Sequence, residues 1–398
     1  MNILLISNLY PEPKEYGINP DTKAVHYFAK EWKKKGHNVL VLHPFFNSLK
    51  KINRFISYNH EIKEYCIEGV PVVFGESQIF SPFKNASSKF QQKRLANRFQ
   101  KYLEYYYPDF KPDRVVVHFP VISYVFNSYF LIKGKSYGTL HGIDIMTLSS
   151  LSEYRRRKLV AYLNNIYTGV YNRSNILSQQ AQVCGIKSTG NNVVLSGIDN
   201  DLIAPINSIY TKLASPRNTI KLVYAGKINK QKNIGSIFYA LSRLKNTIDF
   251  SFTLVGDGPE LVSLKRLSYE LDLSNRICFV GRKNRTEVSG YMSMSDVFIM
   301  LSKNETFGLV YLEAMGQGCL TIGSKGEGID GVIKSGINGF LCAPDNIDEI
   351  CQTLIHVASL DTDCFNEIAI AGYNTVVQMT SDKMADRYLK MMGVHHAV

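Results

Sequence analysis

The stretch NETFGLVYLEAMGQG, residues 304–318, follows the apolar run DVFIMLS (296–302) and carries two carboxylates eight positions apart. Glu305 falls on the loop where a buried strand stops. Glu313 falls inside an apolar helix that the spacing starts near Gly308. A carboxylate among apolar residues is costly unless it accepts hydrogen bonds, so the pair marks a strand-end loop built for polar contacts.

Working outward, short Val- and Ile-rich runs alternate with longer stretches of helical period, the pattern of parallel βαβ units. The strand candidates are NILLIS, HNVLVLH, VPVVFG, RVVVHF, YGTLHG, NILSQ and NNVVLS, then IKLVYAG, DFSFTLVG, NRICFVG, DVFIMLS, CLTIGS and GFLCA. Between the two series lies 196–218, with turn residues, Pro205 and no sustained period, which reads as the connection between domains. The expected organisation is an α/β chain with Rossmann-like units over 1–200 and 201–380, and a C-terminal helix, 381–398, packing back on the first.

The 398 residues are 45% hydrophobic and 20% charged, enough to bury the cores of two domains. No window reaches the roughly 20 apolar residues of a membrane span, and MNILLISNLYPEP reads as a first strand with no secretory leader. Seven scattered cysteines without CxxC or CxxH spacing suggest reduced core thiols of a cytosolic protein. The net charge of +12 resides wholly in residues 1–200, which hold 26 Lys and Arg against 14 Asp and Glu; the remainder holds 20 of each. A basic half suits nucleic acid, an anionic membrane or an anionic substrate, and the chain lacks zinc-finger spacing, RNP1-like segments or Gly-Arg tracts.

In doubly wound sheets ligands bind beyond the carboxyl ends of the strands. There YAGKINKQKN offers Gly226, Lys227 and Lys232 on a loop leading into a helix, a setting for phosphate oxygens. Glu313 matches the two donors of a ribose diol, and Glu305 can hold sugar hydroxyls. VGDGPE has the spacing of Gly256 and Gly258 but Leu at 261, so it is not a dinucleotide fingerprint. Asp361-Thr-Asp363 has the D-x-D form of a metal site, yet it precedes a helical stretch near the C-terminus and reads as an N-cap.

These residues resemble the E-x7-E motif of retaining glycosyltransferases of family 4, which have the GT-B fold of two Rossmann-like domains facing a central cleft. SNLYP with Gly17, KPDRVVVHFP, TLHGIDI, VVLSGID, AGKINKQKN, LVGDGPE, SMSDVFIMLSKNETFG and GINGFLCAPDN recur in the family's order, over residues 1 to about 350. The resemblance implies that Lys227 and Lys232 hold a donor diphosphate and that Glu313 binds the nucleotide ribose. Glu305 and the amides of Phe307, Gly308, Leu309 and Val310 would hold the transferred sugar and its phosphate. His141 would approach that sugar, and Gly17 would let the acceptor and phosphates come close. Lys227 stands where Arg is usual, Gly17 lacks a glycine neighbour, Ser196 replaces a frequent Asn, and Asp330-Gly331 stands near a common Glu.

The implied reaction is metal-independent hexosyl transfer from a UDP- or GDP-sugar, without a cofactor, to a glycan or lipid-linked acceptor of surface polysaccharide assembly. Alternatives are a nucleotide-sugar 2-epimerase of the same fold and a non-catalytic binding protein. The helical stretch 89–106 places Leu95, Phe99, Tyr102, Leu103 and Tyr106 on one stripe and Arg94, Arg98 and Lys101, with Lys93, on a basic one. With Phe45, Phe46, Lys50, Lys51, Ile52, Arg54 and Phe55 it suggests docking on the anionic inner face of the cell membrane. No nucleic acid partner is expected.

Overall fold

The computed structural model describes residues 1–12, 23–48, 61–79, 89–187 and 192–394. Contacts divide the chain into two units, one of Met1–Arg173, Leu177–Leu195 and Met384–Val398, the other of Ser174–Ile176 and Ser196–Lys383.

The first unit is built on β1 (Asn2–Ser7), β2 (Asn38–Ser48), β3 (Lys63–Ile67), β4 (Val70–Ile79), β5 (Arg114–His118), β6 (Ser136–Leu140) and β7 (Gly169–Asn172). Among the described residues they form one sheet in the order β3-β4-β2-β1-β5-β6-β7. All neighbours run parallel except β3 and β4. Ile3, Leu5, Val116 and Val117 are fully buried, as expected of central strands covered on both faces. The β3–β4 hairpin turns through Glu68 and Gly69, both in the left-handed region at φ 47° and 81°, as a two-residue turn between twisted strands requires.

The second unit holds β8 (Ile220–Ala225), β9 (Phe250–Val255), β10 (Ile277–Gly281), β11 (Val297–Ile299), β12 (Leu320–Ser324) and β13 (Phe340–Cys342). Its order is β10-β9-β8-β11-β12-β13, parallel throughout. The order reverses between β8 and β11, and this topological switch sets the place of the site. The fold is α/β with two parallel-rich sheets. No described helix is long and apolar enough to cross a membrane.

Several local expectations give way. NILSQ is the start of the helix Asn175–Val183, whose buried Leu177, Ser178 and Ala181 follow helical spacing. NNVVLS contributes a single bridge, Asn172 to Val193. The stretch 196–218 contains the helix Ile206–Leu213, which buries Ile209 and Leu213 in the second unit. Cys66, Cys278 and Cys364 are exposed, so only Cys319 and Cys342 are buried thiols; Cys184 and Cys351 lie between. Asp361 does cap a helix, accepting from the Cys364 N–H at 2.7 Å.

The helix Ser381–Met391 returns the chain to the first sheet. Met384, Ala385, Tyr388 and Leu389 are buried along one face. Tyr388 packs edge-on against Phe28 and Trp32, and its hydroxyl pairs with Thr139. The Trp32 indole donates to the Ala385 carbonyl at 3.1 Å, and Tyr171 donates to that of Met391 at 2.6 Å. Trp32 is the sole tryptophan and reports on this packing. Tyr388→Ala is expected to cost about 3–5 kcal/mol, the usual loss for a fully buried aromatic, in urea unfolding followed by Trp32 fluorescence. A loss below about 1 kcal/mol, no more than that of a surface substitution, would mean that the returning helix is not part of the core.

Candidate active site

In the second unit the carboxyl ends of β8 and β11 bring two loops together. Past β8, Lys230–Lys232 form one short turn, capped by the Asn229 side chain, which accepts from the Lys232 N–H. Past β11, the chain passes through Asn304, left-handed at φ 56°, to Glu305. The Gln231 amide donates to the Asn304 carbonyl at 3.0 Å, and the Lys303 N–H donates to the Gln231 carbonyl at 2.8 Å. Between the loops the Lys232 ammonium meets the Glu305 carboxylate at 2.5 Å, with both side chains largely buried.

Lys227 is exposed; its carbonyl accepts from the Tyr224 hydroxyl at 2.8 Å, and its ammonium has no hydrogen bond or ion pair among the described residues. Gly258 of the GDG segment lies flush on this loop, since a Cβ there would sit 2.1 Å from the Ile228 carbonyl oxygen. Close packing of backbones, not dinucleotide binding, accounts for that glycine.

Gly308, at φ 81°, turns the chain into the helix Leu309–Gly316. The first amides of a helix have no carbonyl partner within it, so those of Leu309 and Val310 remain open to an anion. Phe307 is buried beneath the turn. One turn further, Glu313 accepts from Arg285 through Nη2 at 2.6 Å and Nε at 3.2 Å. Lys232, Glu305, the Phe307–Val310 turn and Glu313 therefore share the carboxyl-end side of one sheet. Arg285 was not legible, because its tie to Glu313 spans 28 residues.

In the first unit His141 caps the helix Gly142–Ser150, and the Asp144 carboxylate accepts its N–H at 2.8 Å and that of Val121 at 3.0 Å. The His141 ring stacks on Phe119, centroids 3.8 Å apart, and its Nε2 lies 2.9 Å from Nδ1 of His118. Burial drives both imidazoles well below their usual range, so His141 is a neutral hydrogen-bonding group. His118, the last residue of a strand, is the signal missed in RVVVHF. Gly17 lies outside the described residues, as do Lys50, Lys51, Ile52, Arg54 and Phe55.

On the helix Lys89–Tyr106, Leu95 and Phe99 are buried, while Tyr106 is exposed. Lys93, Arg94 and Lys101 face solvent, whereas Arg98 turns partly inward and donates to the Glu76 carbonyl at 3.3 Å. Arg98 thus departs from the expected basic stripe, because the polar edge of β4 is within its reach.

Residues 206–367 match the family model for glycosyl transferases group 1. The N-acetyl-alpha-D-glucosaminyl L-malate synthase of Bacillus anthracis is 30% identical over 167 residues, 42% of this chain and 43% of its own. The UDP-Gal:alpha-D-GlcNAc-diphosphoundecaprenol alpha-1,3-galactosyltransferase of Escherichia coli is 30% identical over 217 residues, 50% of this chain and 54% of its own. The chain spans about half the length of the curated relatives it matches. HepE of Anabaena, solved with UDP, superimposes with a TM-score of 0.70 over 99% of this chain and all of its own, at 19% identity. The fold is thus that of the GT-B glycosyltransferases. The matched segment, 206–367, holds the strands β8 to β13.

The buried titratable groups of the first unit set a pH dependence. Burial lowers His26 to about 4 and His43 to about 3, and holds His118 and His141 well down. Unfolded imidazoles bind protons below about 6.5, so the stability these four contribute is complete above that value and is lost as pH falls toward the folded values. Burial raises Glu12 and Asp144 to about 7. These two act in the opposite sense, their contribution being lost as pH rises through about 7. With four groups against two, the unfolded state binds more protons near pH 5. The melting temperature read by Trp32 fluorescence should therefore fall between pH 7.5 and pH 5; a rise would mean that the two carboxyls dominate.

Proposed function

We propose that the chain is a retaining glycosyltransferase that moves a hexosyl group from a nucleoside diphosphate sugar to a glycan or lipid-linked acceptor hydroxyl. The observation that carries this reading is the placement of Lys232, Glu305, Glu313 and the open amides of Leu309 and Val310 around the carboxyl ends of β8 and β11, with unpaired Lys227 on the same loop. The relatives lend support: HepE has been solved with UDP-glucose, and the named E. coli enzyme acts on a diphosphoundecaprenol-linked sugar.

In this reading the bond from the anomeric carbon to the diphosphate oxygen breaks, and a bond to the acceptor oxygen forms on the same face. The acceptor proton goes to the leaving phosphate. Lys227, Lys232 and the helix amides stabilise the charge that grows on the diphosphate, and this set needs no divalent cation. Diphosphate binding exchanges one anion for another at Lys232 and frees Glu305 for the sugar hydroxyls. Glu313, held by Arg285, receives the ribose diol.

A panel of UDP, GDP, ADP and their sugars, screened by thermal stabilisation and turnover in EDTA, tests this. One donor should be bound and consumed without metal, and Lys232→Ala should lower turnover by about a hundredfold or more. Glu313→Gln should weaken binding of the free nucleoside diphosphate, since a ribose contact exists before and during transfer. Near-wild-type kcat in the lysine variant, or turnover restored only by Mg²⁺ or Mn²⁺, would overturn the assignment.

The excess positive charge supports docking of the first unit on the anionic inner face of the cell membrane. Phe90, Tyr105 and Tyr106 are exposed beside Lys93, Arg94 and Lys101, the mixture an interfacial helix uses. The protein should sediment with anionic liposomes, hardly with neutral ones, and detach as salt rises. Lys93→Glu, Arg94→Glu and Lys101→Glu together should release it, with Arg98 left in place to hold β4. Full sedimentation of the triple variant would exclude this helix as the docking surface.

A further inference from the structure

We propose that Glu327 and Gly328 form the positioning element for Glu305, a role that rests on the transferase reading above. Glu327 lies in KGEGIDG, past β12, and touches the Glu305 loop. Its carboxylate oxygens accept from two consecutive backbone amides, Asn304 N–H at 2.9 Å and Glu305 N–H at 2.8 Å. The next residue closes the pair in reverse: the Gly328 N–H donates to the Glu305 carbonyl at 2.9 Å. Both backbone polar groups of Glu305 are thus taken by two neighbouring residues.

The fit leaves no slack. A Cβ on Gly328 would lie 2.2 Å from the Thr306 carbonyl oxygen and 2.5 Å from the Phe307 nitrogen. The supporting loop is itself tied, since Asp330 accepts from the Gly326 N–H at 2.7 Å. Asn304 holds the left-handed conformation, which a non-glycine residue keeps only where its surroundings fix it, and the two bonds to Glu327 and the one from Gln231 supply that constraint.

Charge-assisted bonds from a carboxylate to backbone amides are among the stronger neutral-to-ion contacts. Here they fix the direction in which the Glu305 side chain leaves the backbone while leaving that side chain free to exchange Lys232 for a sugar hydroxyl. Glu327 touches no substrate in this arrangement. It acts on the transferred sugar through Glu305, so it bears on the step in which sugar geometry matters and not on capture of the nucleotide.

Four proteins test this: wild type, Glu327→Ala, Glu327→Gln and Gly328→Ala, each with amide hydrogen exchange over 302–308, affinity for bare UDP and GDP, and turnover of the donor found in the panel. In Glu327→Ala the Asn304 and Glu305 amides should exchange about tenfold faster or more, as an opened hydrogen bond requires. Bare nucleotide affinity should stay within about twofold, the gain in affinity from the attached sugar should vanish, and kcat should fall by ten- to about a hundredfold, as for a misplacement on the order of 1 Å. Glu327→Gln keeps one acceptor and should fall between. Gly328→Ala leaves the carboxylate but displaces Thr306 and Phe307, so it should give the same split even where the alanine variant folds poorly. Wild-type kcat in Glu327→Ala, or a parallel loss of nucleotide affinity, kcat and melting temperature in both variants, would overturn the positioning role alone. A wild type that binds no nucleotide of the panel would overturn the transferase reading and this role with it.

Discussion

The ion pair between Lys232 and Glu305 is the constraint around which the second unit's site is arranged. Two loops from β8 and β11, 73 residues apart in sequence, meet through it with both side chains largely out of water. A half-buried pair gains little net stability, because desolvation offsets attraction, but removing one partner strands the other. Each loop is therefore bound to need its counterpart. Glu305 also supplies the counter-charge for the ammonium of Lys232 where the two loops meet. Lys227 is left without such a counter-ion and contributes the open positive charge.

Much of the scaffold was legible because buried parallel strands are short apolar runs bounded by turns. All six strand candidates of the second half fall on β8 to β13. Failures cluster where that signal is absent. β3, KEYCI, is an edge strand whose charged Lys63 and Glu64 are both exposed, and β7, GVYN, is too short to show a period. NILSQ misleads because a five-residue window cannot distinguish a strand from the first turn of a helix whose buried positions appear only at Leu177, Ser178 and Ala181. The helix Ile206–Leu213 hides for the same reason, with Ile209 and Leu213 as its two buried positions among polar neighbours.

The site was legible to the extent that its residues sit at strand ends and helix starts. Lys232, Glu305 and Glu313 follow from local order. Their partners do not. Arg285 and Glu327 reach them from other βα units, and nothing in the spacing of RTEVSG or KGEGIDG says which backbone or carboxylate they will meet. Asp330 drew the eye in that segment as the residue beside a departure from pattern, yet it ties only the Gly326 amide. Glu327, three positions earlier, takes the functional loop. Side chains bonded to distant backbone carry no periodicity, so sequence reading passes over them.

The two units also run under different electrostatics, and this decides what each can do. In the second, the side chains of the site meet as ion pairs, Lys232 with Glu305 and Arg285 with Glu313. In the first, His43 on β2, His118 at the end of β5 and His141 just past β6 are buried, and burial holds their imidazoles neutral. His43, held neutral by burial, sits 3.5 Å from Glu12, whose carboxyl burial raises to about 7, and His118 meets His141 as one neutral ring to another. Such groups direct hydrogen bonds without attracting ions. The net positive charge lies in residues 1–200, and on the helix Lys89–Tyr106 Lys93, Arg94 and Lys101 carry it at exposed positions where solvent meets it.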